Sequence, residues 1–305
     1  MKLRATAALS HPGRRRRHNE DSFVLEPPLF AVADGMGGAK AGEIASSLAA
    51  AAVQESAGDG ATGEARVAGL IEEANRRVFR RANEDREVSG MGTTMTVALV
   101  EDERVAIGHV GDSRAYLIRE GRLEQLTDDH SLVAELVRSG KLTPEEAEAH
   151  PQRSVITRAL GTESEVDVDT FSVHATPGDL FLLCSDGLTV MVDDETILEA
   201  VEQHRSNLAE AAKALVNAAN KEGGEDNITV VFFELDGDGD DTAETASSAA
   251  VEPEPVDEET LDESHAQPVV EVVEPKRRSK ALWALAVIAV LLMAAAVILW
   301  LLDQV

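Results

Sequence analysis

Short apolar runs separated by polar turns fill most of the first 235 residues, a pattern typical of a chain rich in β-strands. The predicted strands cover residues 3–9, 22–24, 29–33, 93–100, 104–110, 114–119, 165–173, 179–184 and 228–235. Apolar residues at helical spacing predict amphipathic helices at residues 42–56, 67–78, 193–201 and 208–219. Because consecutive strands have short links and the helices are segregated between them, the pattern favours antiparallel sheets in an α+β sandwich.

The pattern changes after residue 235. Residues 236–275 contain 14 acidic residues and no Lys or Arg, which predicts a disordered acidic tether. A basic segment at 276–280 precedes 22 residues without a charge at 281–302. At about 1.5 Å per residue, a helix of that length would be roughly 33 Å long and would cross a bilayer core of about 30 Å. The sequence therefore predicts one transmembrane helix, followed by an extracytoplasmic tail at 303–305.

Residues that flank this apolar run indicate an orientation. Trp283 and Trp300 lie near its two ends, where interfacial aromatic residues are common. The four bases of residues 276–280 favour a cytoplasmic location for the N-terminal side. The first 17 residues lack the apolar stretch of a signal peptide. We therefore expect residues 1–235 to lie on the cytoplasmic side of the cell membrane.

Charge is distributed unevenly along the chain and excludes one class of partner. Residues 1–235 contain 41 acidic and 24 basic residues, a net charge of −17. Nucleic acid is bound by clustered Lys and Arg, so this balance argues against nucleic acid as a partner and is compatible with divalent cations. Cys184 is the single cysteine and lies inside an apolar run, which indicates a buried structural thiol.

Three carboxylates are predicted at strand ends. Asp34 ends the apolar run 29–33 and is followed by glycines that allow a sharp turn. Asp186 follows the run 179–184, and Asp226 precedes the run 228–235. One Asp-Gly step is also an ordinary turn. Three carboxylates at strand ends, however, could together form a site for a hard cation.

Five segments in a fixed order resemble the metal-dependent protein phosphatases, the type 2C serine/threonine phosphatases, in their bacterial form. They read RRHNEDSF, FAVADGMGG, GHVGDSRAYL, DLFLLCSDGLT and DNITVVFF. The resemblance covers residues 1–235 and implies two antiparallel sheets packed face to face, with pairs of helices outside. It also implies hydrolysis of phosphoserine and phosphothreonine in proteins.

The resemblance implies a set of metal ligands. Asp34 would bridge two Mn²⁺ or Mg²⁺ ions, and the other ligands would be Asp186, Asp226 and the carbonyl of Gly35. Glu20 would be a direct or more distant ligand. Asp112 would share a more weakly held third ion with Asp186. Oxygen-rich sites of this type favour Mg²⁺ or Mn²⁺ over Zn²⁺.

The basic run at residues 14–17 contains the expected phosphate clamp. By the resemblance this is Arg16, five residues before Asp21, although Arg17 remains an alternative because neighbouring residues in an extended chain face opposite sides. A guanidinium offers paired donors to two phosphate oxygens. Asp21 would position Arg16 or a water of the metal site. The other arginines are interpreted as a solvated loop face.

Two adjacent cations would lower the pKa of a bridging water, so that hydroxide is available to attack phosphorus in line. Many eukaryotic relatives have a histidine after the Asp-Gly step as a proposed general acid, whereas this chain has Met36. A thioether has no proton to give, so the general acid is unassigned.

Residues 133–154 are polar and turn-rich, and the resemblance places a mobile flap there, beside the active site. His109 is interpreted as a packed histidine within a strand. His130 could either orient a loop or contact substrate, and the first interpretation is favoured.

The expected partners are phosphorylated proteins, including serine/threonine kinases and their substrates. One alternative is a catalytically inactive phosphoprotein-binding module of the same fold, although all the metal-binding Asp positions are filled. A further alternative is a phosphatase that acts on one anti-sigma antagonist.

Overall fold

The computed structural model describes residues 1–37, 41–55, 61–237 and 248–251. Its strands are β1 Lys2–His11, β2 Asp21–Glu26, β3 Leu29–Met36, β4 Gly92–Thr93, β5 Met95–Glu101, β6 Arg104–Val110, β7 Arg114–Arg119, β8 Arg122–Gln125, β9 Asp169–His174, β10 Leu180–Cys184, β11 Ile228–Asp236 and β12 Ser248–Val251. Its helices are α1 Ala41–Glu55, α2 Gly63–Glu84, α3 Leu132–Arg138, α4 Pro144–Glu148, α5 Asp186–Thr189, α6 Asp194–Gln203 and α7 Leu208–Lys221, and a 3₁₀ turn covers Arg86–Val88.

The strands form two sheets. The first has the order β12-β1-β11-β10-β7-β8, and the second has the order β2-β3-β5-β6-β9 with β4 beside β3. All neighbouring strands are antiparallel except β12, which runs parallel to β1. The first strand of the chain, β1, pairs along its whole length with β11.

Alternating residues of the central strands face two different apolar layers. In β10, Leu180, Leu182 and Cys184 pack towards the helices α6 and α7. Phe181 and Leu183 pack against the other sheet. Because both faces are covered, the strand is a continuous apolar run and not an alternation of apolar and polar residues. The single cysteine is fully buried, as expected.

Aromatic stacking joins the two sheets. Phe233 of the first sheet stacks on Phe30 of the second, with ring centroids 4.3 Å apart, and on Phe181 at 4.9 Å. Helices α1 and α2 cover the outer face of the second sheet, and helices α6 and α7 cover the outer face of the first. The layers are thus helices, sheet, sheet and helices. This arrangement confirms the predicted α+β fold with two antiparallel sheets.

Several features differ from the sequence prediction, including the strand β8, which none of the predicted strands covers. The short helix α5 follows β10 directly, at a position where only a turn is expected. Four residues of the predicted disordered tether form β12, which pairs with the open backbone groups at the edge of β1. No helix in the described ranges is long and apolar enough to cross a membrane. The predicted transmembrane helix at 281–302 lies outside those ranges.

Candidate metal centre

Asp34 and Asp186 lie at the centre of the candidate site. Asp34 lies near the end of β3, where its backbone amide donates to Thr94 Oγ1 at 3.0 Å and its carbonyl accepts from the Thr94 amide at 2.9 Å. Asp186 is the first residue of α5, immediately after β10 and Ser185. The two carboxyl groups share a hydrogen bond, so the fold brings together acids that are 152 residues apart in sequence.

Asp21 is directly opposite Asp34 in the pairing of β2 with β3. Its Oδ2 accepts hydrogen bonds from the hydroxyls of Ser185 at 2.8 Å and Thr229 at 2.6 Å. Its Oδ1 is buried without a hydrogen-bond partner. Asp21 therefore has one oxygen fixed by the protein and one free for a further ligand.

Asp112 occupies the turn between β6 and β7 and is only 8% exposed. Its Oδ1 is also buried without a partner. Burial raises the pKa of Asp112 to about 8, and the nearby charges of Asp186 and Asp129 act in the same direction. Asp112 thus belongs to the same group of acids, at its edge.

The acids of the centre disfavour one another's charge. Burial, followed by the charges of Asp21, Asp186, Asp112 and Asp226, raises the pKa of Asp34 well above its usual value. Burial also raises the pKa of Asp186, although the hydrogen bond with Asp34 opposes that change. For Asp21, burial raises the pKa to about 7 against the effect of the two hydroxyl donors. Such a group of buried anions is stable in charged form only with compensating positive charge.

The donor set fits divalent cations. Three buried carboxylate oxygens, on Asp21, Asp112 and Asp186, accept no hydrogen bond. Within the described parts of the chain, no three His, Cys, Asp or Glu side chains stand close enough to enclose a metal ion by themselves. An open set of this kind suits Mg²⁺ and similar ions, which keep several waters and use few carboxylates.

Gly35 and Glu20 meet beside helix α1. A methyl group placed at Gly42 would lie 2.8 Å from both the Gly35 carbonyl oxygen and Glu20 Oε2. These two oxygens are therefore at most 5.6 Å (twice 2.8 Å) apart. A methyl group at Gly35 would lie 2.2 Å from the Gly42 carbonyl oxygen, so no side chain fits at residue 35. Burial raises the pKa of Glu20, while Arg16 acts against this change.

Arg16 and Asp226 form an ion pair at the rim of the centre. Arg16 Nη2 donates to Asp226 Oδ2 at 2.7 Å, and the Arg16 side chain remains 51% exposed. The amide of Asn227 donates to the other carboxylate oxygen, Oδ1, at 2.8 Å. Arg17 is exposed. The structure thus brings Arg16 to the acidic centre.

Asn227, Ser185 and Thr229 are site residues that the sequence analysis did not single out. Asn227 Oδ1 accepts from the Glu20 amide at 2.7 Å, and its Nδ2 donates to the carbonyls of Pro12 and His18, each at 3.0 Å. Asn227 therefore fixes the loop that contains Arg16. The adjacency of Asn227 to Asp226 in DNITVVFF is the only local signal for it.

A cleft of about 870 Å³ opens beside Asp112 and Asp186. One wall comes from the predicted flap, which contains α3 and α4, and the other comes from residues 189–194. Among the residues that line it, Arg114 donates two hydrogen bonds to Asp129, at 2.9 and 2.8 Å. The cleft can therefore receive a polypeptide segment next to the metal centre.

His109 and His130 are both packed. His109 Nδ1 hydrogen bonds to Thr96 Oγ1 at 2.9 Å, and burial lowers its pKa to about 4. His130 Nδ1 accepts from the Gly111 amide at 3.0 Å, and its Nε2 contacts Asp169 Oδ2 at 3.1 Å. These contacts agree with the interpretation of both residues as structural. Met36 is half-buried and has no proton to give to a leaving group.

The family model of protein phosphatase 2C matches residues 14–229. The chain belongs to this family. The phosphatase is 43% identical over 235 residues to the serine/threonine phosphatase stp of Listeria monocytogenes, covering 73% of this chain and 93% of the relative. It is 44% identical over 231 residues to the serine/threonine protein phosphatase PstP of Mycobacterium tuberculosis, covering 75% of this chain and 44% of that protein.

Solved structures agree with this membership. The crystal structure of the Mycobacterium tuberculosis phosphatase PstP/Ppp superimposes with a TM-score of 0.73 at 42% identity, covering 77% of this chain and 100% of that chain. The catalytic domain of PstP in complex with two manganese ions gives a TM-score of 0.71 at 40% identity, covering 77% and 99% of the two chains. Family membership confirms the predicted enzyme class, a metal-dependent protein phosphatase, and the predicted Mn²⁺ or Mg²⁺ cofactor.

Proposed function

We propose that this phosphatase hydrolyses phosphoserine and phosphothreonine in proteins at a centre of two divalent cations. The observation that carries this proposal is the set of partnerless buried oxygens on Asp21, Asp112 and Asp186, grouped around Asp34. The relatives named serine/threonine phosphatases support the substrate class. Asp34, Asp186, Asp226 and the Gly35 carbonyl would hold two ions, with Glu20 beside them, and Asp112 would hold a third.

The bound ions would supply a water of lowered pKa and neutralise phosphate charge. Asp21 orients this chemistry, because Ser185 and Thr229 fix one of its oxygens and direct the other into the centre. Arg16 binds the phosphate of the substrate through paired N–H donors. To do so its guanidinium exchanges the contact with Asp226 for phosphate oxygens, which frees an Asp226 oxygen for the centre.

The cleft beside Asp112 holds the substrate chain. Its flap wall contains both apolar residues, such as Val133 and Val137, and charged ones, such as Arg138. Met36 stands where eukaryotic relatives have the proposed general acid, and its thioether has no proton to give. Water in the open cleft protonates the leaving serine or threonine oxygen.

Hydrolysis of matched phosphopeptides tests this function. The full chain with Mn²⁺ is expected to release phosphate from phosphoserine and phosphothreonine peptides and much more slowly from a phosphotyrosine peptide of the same sequence. Addition of EDTA should abolish the release. Binding of the phosphopeptides without hydrolysis in Mn²⁺ would favour the inactive phosphoprotein-binding module instead.

The proposed location of the enzyme is the inner face of the cell membrane. The uncharged run at 281–302, preceded by four bases at 276–280, supports a tether to the inner face of the cell membrane. From there the phosphatase would oppose serine/threonine kinases at the membrane. With β12 paired to β1, the 24 residues of 252–275 would form the tether, and as a flexible coil they would have a root-mean-square reach of about 27 Å.

Protease accessibility tests the orientation. Protease added outside intact cells or spheroplasts should leave the catalytic domain uncut, and protease added after lysis should digest it. Recovery of the protein in the soluble fraction would reject the tether, and digestion from outside would reject the cytoplasmic orientation.

A further inference from the structure

The arginine loop, residues Arg14–Arg17, concentrates positive charge at one place on an acidic domain. Residues 1–235 have a net charge of −17, yet four consecutive arginines lie in this loop. All four side chains are exposed. Arg16 is accounted for by its contact with Asp226 and its proposed role on phosphate. The other three arginines have no role in the chemistry described above.

The backbone of the arginine loop is fixed against the metal centre. The amides of Arg14 and Arg15 donate to the Gly224 carbonyl at 2.8 and 3.2 Å. Asn227 Nδ2 donates hydrogen bonds to the carbonyls of Pro12 and His18, which lie on either side of the loop, both at 3.0 Å. A methyl group at Gly13, whose φ is +76°, would lie 2.1 Å from the Asp226 carbonyl oxygen. The loop therefore packs directly on the segment that supplies Asp226.

The remaining guanidinium groups are available to an external anion. In the described part of the chain, Arg14, Arg15 and Arg17 form no ion pair, unlike Arg16. Consecutive Cα atoms are about 3.8 Å apart, so the Cα atoms of Arg14, Arg15 and Arg17 all lie within about 8 Å of that of Arg16. A substrate group two to four residues from the reacting phosphoresidue would be about 7–14 Å away, within reach of these long side chains.

We propose that Arg14, Arg15 and Arg17 form a second anion subsite, which selects phosphoproteins with another phosphate or carboxylate two to four residues from the reacting phosphoresidue. This inference rests on the proposed function, because the reacting phosphate is placed at Arg16. A second phosphate is bound more strongly than a carboxylate, because it carries up to two charges and three acceptor oxygens.

Peptide binding in EDTA tests the subsite without hydrolysis. Fluorescence anisotropy would compare the full chain with the triple variant R14Q/R15Q/R17Q. The matched control is R80Q/R86Q/R122Q, which removes the same charge from exposed arginines on other elements. Three labelled peptides of one sequence would be used: one phosphate with neutral flanks, one phosphate with Glu three residues away, and two phosphates three residues apart.

The unaltered chain is expected to bind the doubly phosphorylated peptide about tenfold more tightly than the neutral one, since exposed charge pairs each contribute modestly. The loop variant should lose most of that preference, and the control variant should keep it. The Glu peptide should show an intermediate preference. Raising the salt concentration should reduce the preference in the unaltered chain, because these groups are exposed.

Equal binding of the three peptides by the unaltered chain would overturn the subsite. An equal loss of preference in the two triple variants would also overturn it, because the effect would then come from total charge. Failure of the proposed function is a separate result, since it would appear as absent hydrolysis in Mn²⁺ while the binding preference in EDTA is unchanged.

Discussion

Two opposite effects act on the charge of each carboxylate in the proposed metal centre. Their burial and mutual repulsion disfavour charge, while a hard cation needs charged oxygen ligands. If these residues hold the ions as proposed, they should lower the stability of the protein in EDTA and raise it in the presence of the ions. Substitutions that remove one charge should separate these effects.

Asp34→Asn should reduce turnover of a small aryl phosphate at least about 100-fold, because even residues that merely support metal ligands cost 10–100-fold. In EDTA the same variant should be more thermally stable than the unaltered chain, since an amide can donate a hydrogen bond to Asp186 without adding charge. Asp167→Asn, at an exposed position, is the matched control and should change neither quantity. Full activity of Asp34→Asn would reject the assignment of the centre.

Asp112→Ala should leave two ions bound and raise the Mn²⁺ concentration needed for half-maximal turnover. The reason is its place at the edge of the group, in the turn after β6. Isothermal calorimetry counts the bound ions. Loss of all metal binding would instead place Asp112 among the main ligands.

Arg16→Ala should raise KM for a singly phosphorylated neutral peptide more than it lowers kcat, because it removes a phosphate contact and no metal ligand. An increase of about tenfold is expected for the loss of a charged hydrogen bond. Arg17→Ala should have the smaller effect on this peptide. The reverse order would assign the clamp to Arg17.

Local sequence signals identify acids beside glycine turns, because both the turn and the acid are read from neighbouring residues. They do not identify Ser185, Thr229 or Asn227. The function of each depends on a partner far away in the sequence: Asn227 binds the amide of Glu20, 207 residues earlier. Hydroxyl and amide side chains occur throughout the chain, so apart from the position of Asn227 next to Asp226 nothing in the local pattern marks these three.

Helices and strands were predictable where burial extends over several residues. Alternate residues of β10 contact two different apolar layers, because both faces of the strand are covered. For the same reason every residue of the strand is apolar. The helix α5 has only four residues, about one turn, so its sequence shows no helical repeat of apolar positions. Its position is set by tertiary contact, since Gly187 packs on the backbone of Asn227.

Gly187→Ala should destabilise the protein by about 1–3 kcal/mol, because the added methyl group would lie 2.1 Å from the Asn227 carbonyl oxygen. It should also weaken metal binding, because Asp186 is the preceding residue. Gly69→Ala is the matched control in α2, where no atom lies within 4 Å of the added methyl group. That change should stabilise the helix by about 1 kcal/mol. Denaturant unfolding measures the free energy of unfolding of both variants, which should fall for Gly187→Ala and rise for Gly69→Ala.

The stability of the whole molecule should depend on pH through the metal centre. Burial raises the pKa of Asp21 to about 7 and that of Asp112 to about 8, above the ordinary value of 3.8. Between pH 4 and pH 8 these two carboxyl groups therefore bind more protons in the folded chain than in the unfolded chain, and their contribution to stability declines as pH rises.

In EDTA, the melting temperature should accordingly decrease from pH 5 to pH 8, and saturating Mn²⁺ should raise it at pH 8 by more than at pH 5. A shift of at least about 4 °C at pH 8 is expected for a domain of this size. Calorimetric scans at both pH values measure the difference. An Mn²⁺ effect that is equal at the two pH values would contradict this linkage.

The pairing of β1 with β11 has a consequence for synthesis of the protein. Lys2 is opposite Asp236 in that register, so the first strand to leave the ribosome can pair with its central neighbour only after β11 has emerged. Asp226 and Asn227 arrive with that same strand. Contacts over so many residues form late in folding. A nascent chain therefore lacks the proposed metal ligand Asp226 until synthesis reaches β11, and a chain interrupted before Asp226 is expected to be inactive.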